Sequence, residues 1–366
     1  MLIYDLDLQE ITNLLKEWNE PAYRAKQIWQ GLYQHFYDSP EQFTNIPKAL
    51  REKLAANLNF SPLKPKLYLD SSDEQTRKTL FELQDGQVIE AVLMRYGDPA
   101  DEHDGLDTPK STATRPSKKR RTLCISTQAV CAMGCVFCAT GQMGFKRHLS
   151  SGEIIAQVIY YARMLKAENQ AVTNIVLMGM GEPFHNYDNT MAAIDRLNDA
   201  GGYNFGARRF TISTVGLVPM IRRFADEKRQ VNLAISLHAA DDDSRLRMLP
   251  INKKYKIDEV LESCRYYVNQ TGRRITFEWA LIHGVNDTPE VAKQLAARLK
   301  GLLCHVNAIP LNPTAGYHGK ATDRGRAAAF KAALEQAGIP CTIRMRRGID
   351  IQAGCGQLTG SVSLMS

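Results

Sequence analysis

From residue 123 onward the chain alternates short β-prone runs with helical patterns, and this alternation limits its fold more than any other feature. Strand candidates lie at 123–127, 174–178, 209–213, 232–237, 275–281, 305–311 and 341–345. Apolar residues at helical spacing fill the intervals at 152–166, 190–198, 218–226, 257–270, 289–300 and 324–336. Strands separated by helices pair in parallel, because each return needs a crossover. Six such repeats predict an α/β fold, an incomplete TIM-like (β/α)6 barrel with its helices outside. In that architecture the chemistry collects at the C-terminal ends of the strands.

Ahead of the barrel the periodicities change. Residues 5–58 read as helical, with Ile11, Leu14, Leu15 and Trp18, then Ile28, Leu32, Tyr33 and Phe36, recurring at three- and four-residue steps. Between 66 and 96 the period drops to two, and Asp85-Gly86 between two alternating runs predicts a hairpin. Residues 97–121 read as a polar loop ending in the basic run Lys118-Lys-Arg-Arg121. The expected division is a helical accessory domain over 1–62, a β-hairpin and basic linker over 63–121, the barrel over 122–350 and a C-terminal segment over 351–366.

The residues able to do chemistry fall at predicted strand ends. Cys131, Cys135 and Cys138 follow the first strand as CxxxCxxC. With no fourth cysteine nearby, this fits an iron–sulfur cluster on three thiolates, one iron remaining open to a small ligand. A zinc site is the other reading, with His148 within reach. After the second strand comes Met178-Gly-Met-Gly-Glu-Pro183, where Gly181 lets the backbone approach a ligand and Glu182 can accept hydrogen bonds from an ammonium group. Ser213 closes the third strand, Ser236-Leu237-His238 closes the fourth and Asn312 follows the sixth, which places polar groups around one ring. Beyond the last strand, Cys355 sits in Ala353-Gly-Cys-Gly-Gln357, and its flanking glycines leave a thiol approachable from two sides. Cys124, on the first strand, is either its partner or a core thiol. Cys264 in a helix, Cys304 at a helix end and Cys341 in a strand read as packing or surface residues, and Glu90 alone reads as a solvent-facing strand residue.

Composition narrows the setting. With 44% apolar and 23% charged residues the chain is of globular type. No apolar run reaches membrane-spanning length, and acids stand where a secretory signal needs positive charge, so a cytoplasmic location is expected. Reduced thiols suit that compartment. A net charge of +7 favours a polyanionic partner, and Arg344, Arg346 and Arg347, with the 118–121 run, are candidates to hold phosphates.

CxxxCxxC after an apolar strand, with Phe137 before the third cysteine, resembles the signature of the radical S-adenosylmethionine (SAM) enzymes. Together with Met-Gly-Glu-Pro, Ser-Leu-His and Ala-Gly-Cys-Gly-Gln, it makes nearly the whole chain similar to the RlmN/Cfr family of RNA adenine methyltransferases, in particular the RlmN branch. The resemblance implies a [4Fe-4S] cluster on Cys131, Cys135 and Cys138. It also implies two SAM molecules per turnover, bound by Gly181, Glu182, Ser213, Ser236, Leu237, His238 and Asn312. It further implies that Cys355 takes a methyl group from one SAM, and that a 5′-deoxyadenosyl radical from the second removes hydrogen from that S-methyl. The carbon then adds to carbon 2 of adenine, Cys124 attacks the Cys355 sulfur to release the base as a disulfide forms, and Glu90 accepts the proton. The implied substrates are 23S rRNA in the peptidyl-transferase region and tRNA next to the anticodon. An electron donor such as flavodoxin or ferredoxin, a monomeric state and a helical domain that helps hold folded RNA complete the expectation. The 97–121 stretch is longer than that family leads one to expect. Other readings are the carbon-8 (Cfr-like) branch, a zinc-stabilised RNA-binding module without catalysis, and a radical SAM enzyme acting on a small metabolite, which leaves Cys355 without a task.

Overall fold

A computed structural model describes residues 1–97 and 119–360. The chain starts with α1 (Leu8–Glu17), α2 (Tyr23–Gln30) and α3 (Lys48–Asn57). Asp7 starts α1 through a capping box: its carboxylate accepts from the Glu10 N–H, and the Glu10 side chain accepts from the Asp7 N–H. Ile11, Leu15, Ile28, Leu32, Tyr33 and Phe36 are buried, as their spacing predicts, while Leu14 and Trp18 pack at the margin of the same core.

The first strands are β1 (Lys64–Asp70), β2 (Thr76–Glu82), β3 (Val88–Tyr96) and β4 (Arg120–Cys124). The expected hairpin joins β2 to β3, with Gly86 at φ +78° in its turn, and β1 adds an outer strand. A separate two-stranded sheet pairs β5 (Gln128–Val130) with β6 (Phe145–His148), around α4 (Ala139–Gln142). The remaining elements are α5 (Ser151–Ala167), β7 (Asn174–Leu177), α6 (Tyr187–Asn198), β8 (Phe210–Thr214), α7 (Val218–Asp226), β9 (Asn232–Ser236), α8 (Asp242–Met248) and α9 (Ile257–Thr271). They are followed by β10 (Ile275–Leu281), α10 (Pro289–Leu299), β11 (Cys304–Pro310), α11 (Arg324–Gln336) and β12 (Cys341–Ile343).

One sheet runs β1-β2-β3-β4-β7-β8-β9-β10-β11-β12. It is antiparallel as far as β4 and parallel from β4 to β12, so the hairpin is a direct extension of the barrel wall. Val92 of β3 pairs with Cys124 of β4. The N-terminal helices share one apolar core with the barrel. They are tied to it by Asp5, whose Oδ1 accepts from the Gly152 N–H at 2.7 Å where α5 begins.

Three expectations need correction. Glu90 is buried rather than solvent-facing, because β3 is covered on both sides: Tyr161 of α5 donates to the Ala91 carbonyl, and Gly360 of the C-terminal segment lies against the Val88 carbonyl. The loop at 97–121 gives way to strand at Arg120, and Arg121 is buried, its guanidinium donating to Gln170 at 2.8 Å and to the Tyr96 carbonyl. Lys118 and most of that loop lie outside the described residues. Cys304 opens β11 instead of ending a helix. Among the described residues no helix is long and apolar enough to cross a membrane.

Candidate active site

The C-terminal ends of β7 to β11 surround a cavity of about 180 Å³. Cys131, Cys135 and Cys138 border it, as do Gly181, Glu182, Ser213, Ser236, His238, Asn312 and Cys355. The cysteine loop is fixed from behind: the Val136 N–H donates to the Met248 carbonyl at 3.0 Å, and a Cβ on Gly141 would come within 2.9 Å of the Cys135 backbone. Leu237 is the exception among the expected residues. It alternates with Ser236 and His238, so its side chain is fully buried in the core, away from the cavity.

Glu182 is held with care. Its Oε1 accepts from the Phe184 N–H at 3.0 Å and its Oε2 from the Val215 N–H at 2.9 Å. Burial pushes its carboxyl up to about 7 against those two bonds. The turn before it needs glycine: Gly181 has φ +106°, and a Cβ there would meet Gln128 at 2.6 Å. His238 accepts from the Ala280 N–H through Nδ1 at 2.9 Å, and burial lowers its pKa to about 3, so the ring is neutral with its proton on Nε2. The Ser213 and Ser236 hydroxyls lie 3.3 Å apart. Asn312 donates to the Cys355 carbonyl, while its own Oδ1 is buried without a partner.

This donor set fits an iron–sulfur cluster with a small polar ligand. Burial pushes the Cys131 thiol up to about 12 and raises Cys135 and Cys138 as well, so the ionised thiolates need a strongly positive group beside them, which cluster iron supplies. Among the described residues no three His, Cys, Asp or Glu side chains converge closely enough for a single metal ion; the thiols instead share one cavity wall. His148, the zinc reading's extra ligand, is engaged by the Gln128 amide at 3.0 Å.

Cys355 borders a second cavity of about 120 Å³, which Cys124 also lines. Solvent reaches the Cys355 thiol through these spaces, yet protein walls enclose it, and that enclosure raises its pKa while Arg344 opposes the rise. Cys124 is 9% exposed and pushed up to about 12 by burial, with Cys355 as the nearby charge that adds to the shift. The described cysteines are all free thiols. Glu90 lines neither cavity. Its Oε1 lies 3.6 Å from Lys78 Nζ, neither carboxylate oxygen has a hydrogen-bond partner, and burial carries its carboxyl up to about 7 against the Lys78 charge. Of the basic candidates, Arg344 and Arg347 line the second cavity and Arg346 donates to the Leu311 carbonyl.

The model of the radical SAM superfamily matches residues 125–296, and that of the ribosomal RNA large subunit methyltransferase N-terminal domain matches residues 2–59. Dual-specificity RNA methyltransferase RlmN 1 of Myxococcus xanthus (strain DK1622) is 45% identical, over 100% of this chain and 96% of that protein. This chain belongs to the RlmN family of radical SAM RNA methyltransferases. A probable RlmN of Geobacillus kaustophilus (strain HTA426) is 44% identical over 97% of this chain and 92% of its own length. The crystal structure of a radical SAM methyltransferase from Sphaerobacter thermophilus superposes with a TM-score of 0.91, at 46% identity, covering 99% of this chain and 100% of that one. Membership in this family implies SAM and a [4Fe-4S] cluster, and an RNA substrate.

Sequence reasoning missed four residues of this RlmN-family site. Glu278 lines the first cavity, receives a hydrogen bond from Asn307 at 2.7 Å and is raised to about 6 by burial; a lone acid inside the apolar run of β10 was the available signal. Arg245 is fully buried and donates to the carbonyls of Val215, Leu237 and Tyr255 and to Asn252. Gln128 supports the Glu182 turn by accepting from its N–H at 2.9 Å. Lys78 reaches the C-terminal segment. The last three leave no local pattern, because their partners lie far away in sequence or in irregular loops.

Proposed function

We propose that this enzyme methylates carbon 2 of adenine in 23S rRNA, within the peptidyl-transferase region, and in tRNA next to the anticodon, through an S-methyl group on Cys355. The observation that carries the reading is that Cys355 borders both cavities, one shared with the three-cysteine loop and the other with Cys124. A carbon carrier must visit a radical source and a releasing thiol, and Cys355 stands between candidates for each. Carbon 2 is an electron-poor amidine carbon with no nucleophilicity toward a methyl sulfonium, which is why a carrier is needed.

Cys131, Cys135 and Cys138 would hold the cluster, and Glu182, Ser213, Ser236, His238 and Asn312, with the Gly181 backbone, would hold SAM. When bound, the cluster supplies the electron that splits SAM. Cys355, as thiolate, would take the methyl group of one SAM with S-adenosylhomocysteine as the leaving group. Once that S-methyl has lost a hydrogen atom to the radical a second SAM would supply, its carbon would add to the base, and the adduct would give up its odd electron, for which the cluster would be the acceptor. Glu90, its carboxyl raised to about 7 by burial, is assigned the ring proton on the family resemblance, since it lines neither cavity. Cys124 then attacks the Cys355 sulfur; the new S–S bond forms as the S–C bond to the base breaks, and the electron pair leaves with the carbon, which is protonated. Phosphate contacts fall to Arg344 and Arg347, and the N-terminal helices help hold folded RNA. A flavodoxin or ferredoxin would donate electrons to a monomeric, cytoplasmic enzyme.

The test is anaerobic incubation of the reconstituted enzyme with methyl-labelled SAM and unmodified rRNA or tRNA, followed by nucleoside analysis. Label in 2-methyladenosine is expected. Label in 8-methyladenosine would assign the Cfr-like alternative, and full turnover by Cys355→Ala would remove the carrier.

A further inference from the structure

The barrel interior is loosely filled toward the N-terminal ends of its parallel strands. Barrels of this type pack that space with layers of bulky branched side chains. Here the inward rows carry mostly short polar ones: Thr122 of β4, Asn174 of β7, Thr211 of β8, Thr276 of β10 and Asn307 of β11, with Val176 and Ile343 as branched exceptions. They surround a third cavity of about 700 Å³, larger than the cavity of about 180 Å³ at the C-terminal ends. The same rows climb from one space to the other: Thr211 stands two residues before Ser213, and Thr276 two before Glu278. Met178 and Glu278 border both, so the two cavities meet at their level. The third cavity also shares Thr122, Val176 and Arg344 with the one that Cys124 and Cys355 line. Its lining is basic, with Arg120, Arg274, Lys331, Arg344 and Arg347 against the acids Glu278 and Glu335. Glu278 has no task in the chemistry described so far. It is buried, its Oε2 accepts from Asn307 at 2.7 Å, and it is close enough for its charge to act on the Cys355 thiol.

We propose that this third cavity receives the flipped target adenosine, and that Glu278 at its inner end reads the base by accepting a hydrogen bond from the 6-amino group. The inference rests on the carbon-2 reading above. With the cluster and SAM at the C-terminal mouth, a nucleoside has the opposite mouth to enter by, where Arg274 and Thr342 are exposed. Several hundred Å³ is the usual size of a small-molecule site. Flipped bases are held by their Watson–Crick edge, and in adenine carbon 2 and the 6-amino group share that edge. An adenine inserted edge first therefore brings carbon 2 toward Cys355 and its amino group toward Glu278, which line one cavity. Burial raises the Glu278 carboxyl to about 6, so at neutral pH it is mostly ionised and accepts hydrogen bonds without donating any. Guanine would turn its 6-oxo group toward the carboxylate and be repelled. The lining cations meet the phosphates that flank the base and position it without reading sequence.

The test is binding of a fluorescein-labelled tRNA anticodon stem–loop to the reconstituted enzyme without reductant, so that no turnover intervenes. The loop carries either adenosine at the target position or purine riboside, which lacks only the 6-amino group. Wild type should bind the adenosine loop about tenfold more tightly, the factor one charge-assisted hydrogen bond is worth, and Glu278→Ala should bring the two loops within about twofold. Glu278→Gln serves if the alanine variant does not fold, and should cut the preference to about threefold, since a neutral acceptor makes the weaker bond. Thr211→Phe and Thr276→Phe, which fill the third cavity, should each weaken the adenosine loop by roughly tenfold, while SAM affinity by calorimetry stays within about twofold of wild type. Unchanged RNA binding in both filled variants overturns the cavity assignment. Equal affinity for the two loops in wild type, or a preference that survives Glu278→Ala, overturns the reading of the base. Lost SAM affinity in Glu278→Ala with the preference intact would assign Glu278 to SAM instead. Nucleoside analysis keeps the two readings apart: 8-methyladenosine from an enzyme whose Glu278 variants lose the preference sinks the carbon-2 assignment, whereas 2-methyladenosine from an enzyme without any preference sinks the role of Glu278 alone.

Discussion

Replacing Gly181 with alanine separates two costs that the structure assigns to one position. At φ +106° an L-residue is strained, by roughly 1–2 kcal/mol. The new Cβ would also stand 2.6 Å from Gln128 Cβ, 2.7 Å from its Cγ and 2.8 Å from its backbone N. Gln128 has no room to yield: it is fully buried, its Oε1 accepts from Glu182, and its Nε2 lies 3.0 Å from His148 Nδ1 and 3.1 Å from His185 Nδ1. Overpacking against such a neighbour costs roughly 1–3 kcal/mol, for a total of about 2–5 kcal/mol. Gly86→Ala is the control, because Gly86 has φ +78° with nothing within 4 Å of its Cβ, and it should lose only the backbone part, about 1–2 kcal/mol. Urea unfolding of the two apo variants measures the difference, and calorimetric titration of reconstituted protein should show SAM affinity reduced about tenfold in Gly181→Ala alone, through the displaced Glu182. If the two alanine variants unfold within about 0.5 kcal/mol of each other, the Gln128 contact is not what demands a glycine there.

Three further outcomes are expected. Cys124→Ala should accumulate a covalent protein–RNA adduct through Cys355, visible as a shifted band whose peptide mass maps to 351–360; free methylated RNA without adduct would remove Cys124 from the releasing step. Folding lifts the Glu182 pKa from 4.5 to about 7, so the folded state holds the proton more tightly and its stabilising share is lost as pH rises through that window. The stability difference between wild type and Glu182→Gln should therefore shift against wild type from pH 4.5 to 7 and level off above, as thermal unfolding across that range would show. Arg245→Met should destabilise by about 3 kcal/mol or more, because it strands the buried carbonyls of Val215, Leu237 and Tyr255 together with Asn252 Oδ1; an unchanged urea midpoint would refute that.

Long elements and strand ends were legible in the sequence because each rests on a local repeat. The helix at 218–226 and the strand at 275–281 begin and end where their periodicity does, and Ser213, Ser236, His238 and Asn312 border the cavity because strand ends dictate it. Short elements inside the loops after β4 and β9 left no clear signature: β5, β6, α4 and α8 span three to seven residues each. Glu90 was misread for another reason. Its strand alternates as a half-exposed hairpin does, but the segment that covers it arrives from the far end of the chain, as the contact between Lys78 and Gln352 shows. Arg121 sits in a basic run that looks solvated, yet Gln170 and the Tyr96 carbonyl draw it inward. Nothing within a few residues of either position encodes those partners.

The register that sets Tyr96 opposite Arg120 makes the two ends of the 98–118 stretch next-door neighbours, with the Arg120 guanidinium 4.1 Å over the Tyr96 ring. Because those ends already meet, chain added or removed between them leaves the sheet unstretched. Tyr96 also lines the second cavity with Cys124 and Cys355, and the Arg347 guanidinium stands 4.6 Å over its ring, so the junction adjoins the space around the Cys355 thiol. It offers an address where a fluorophore can be spliced in to report on RNA docking beside that cavity.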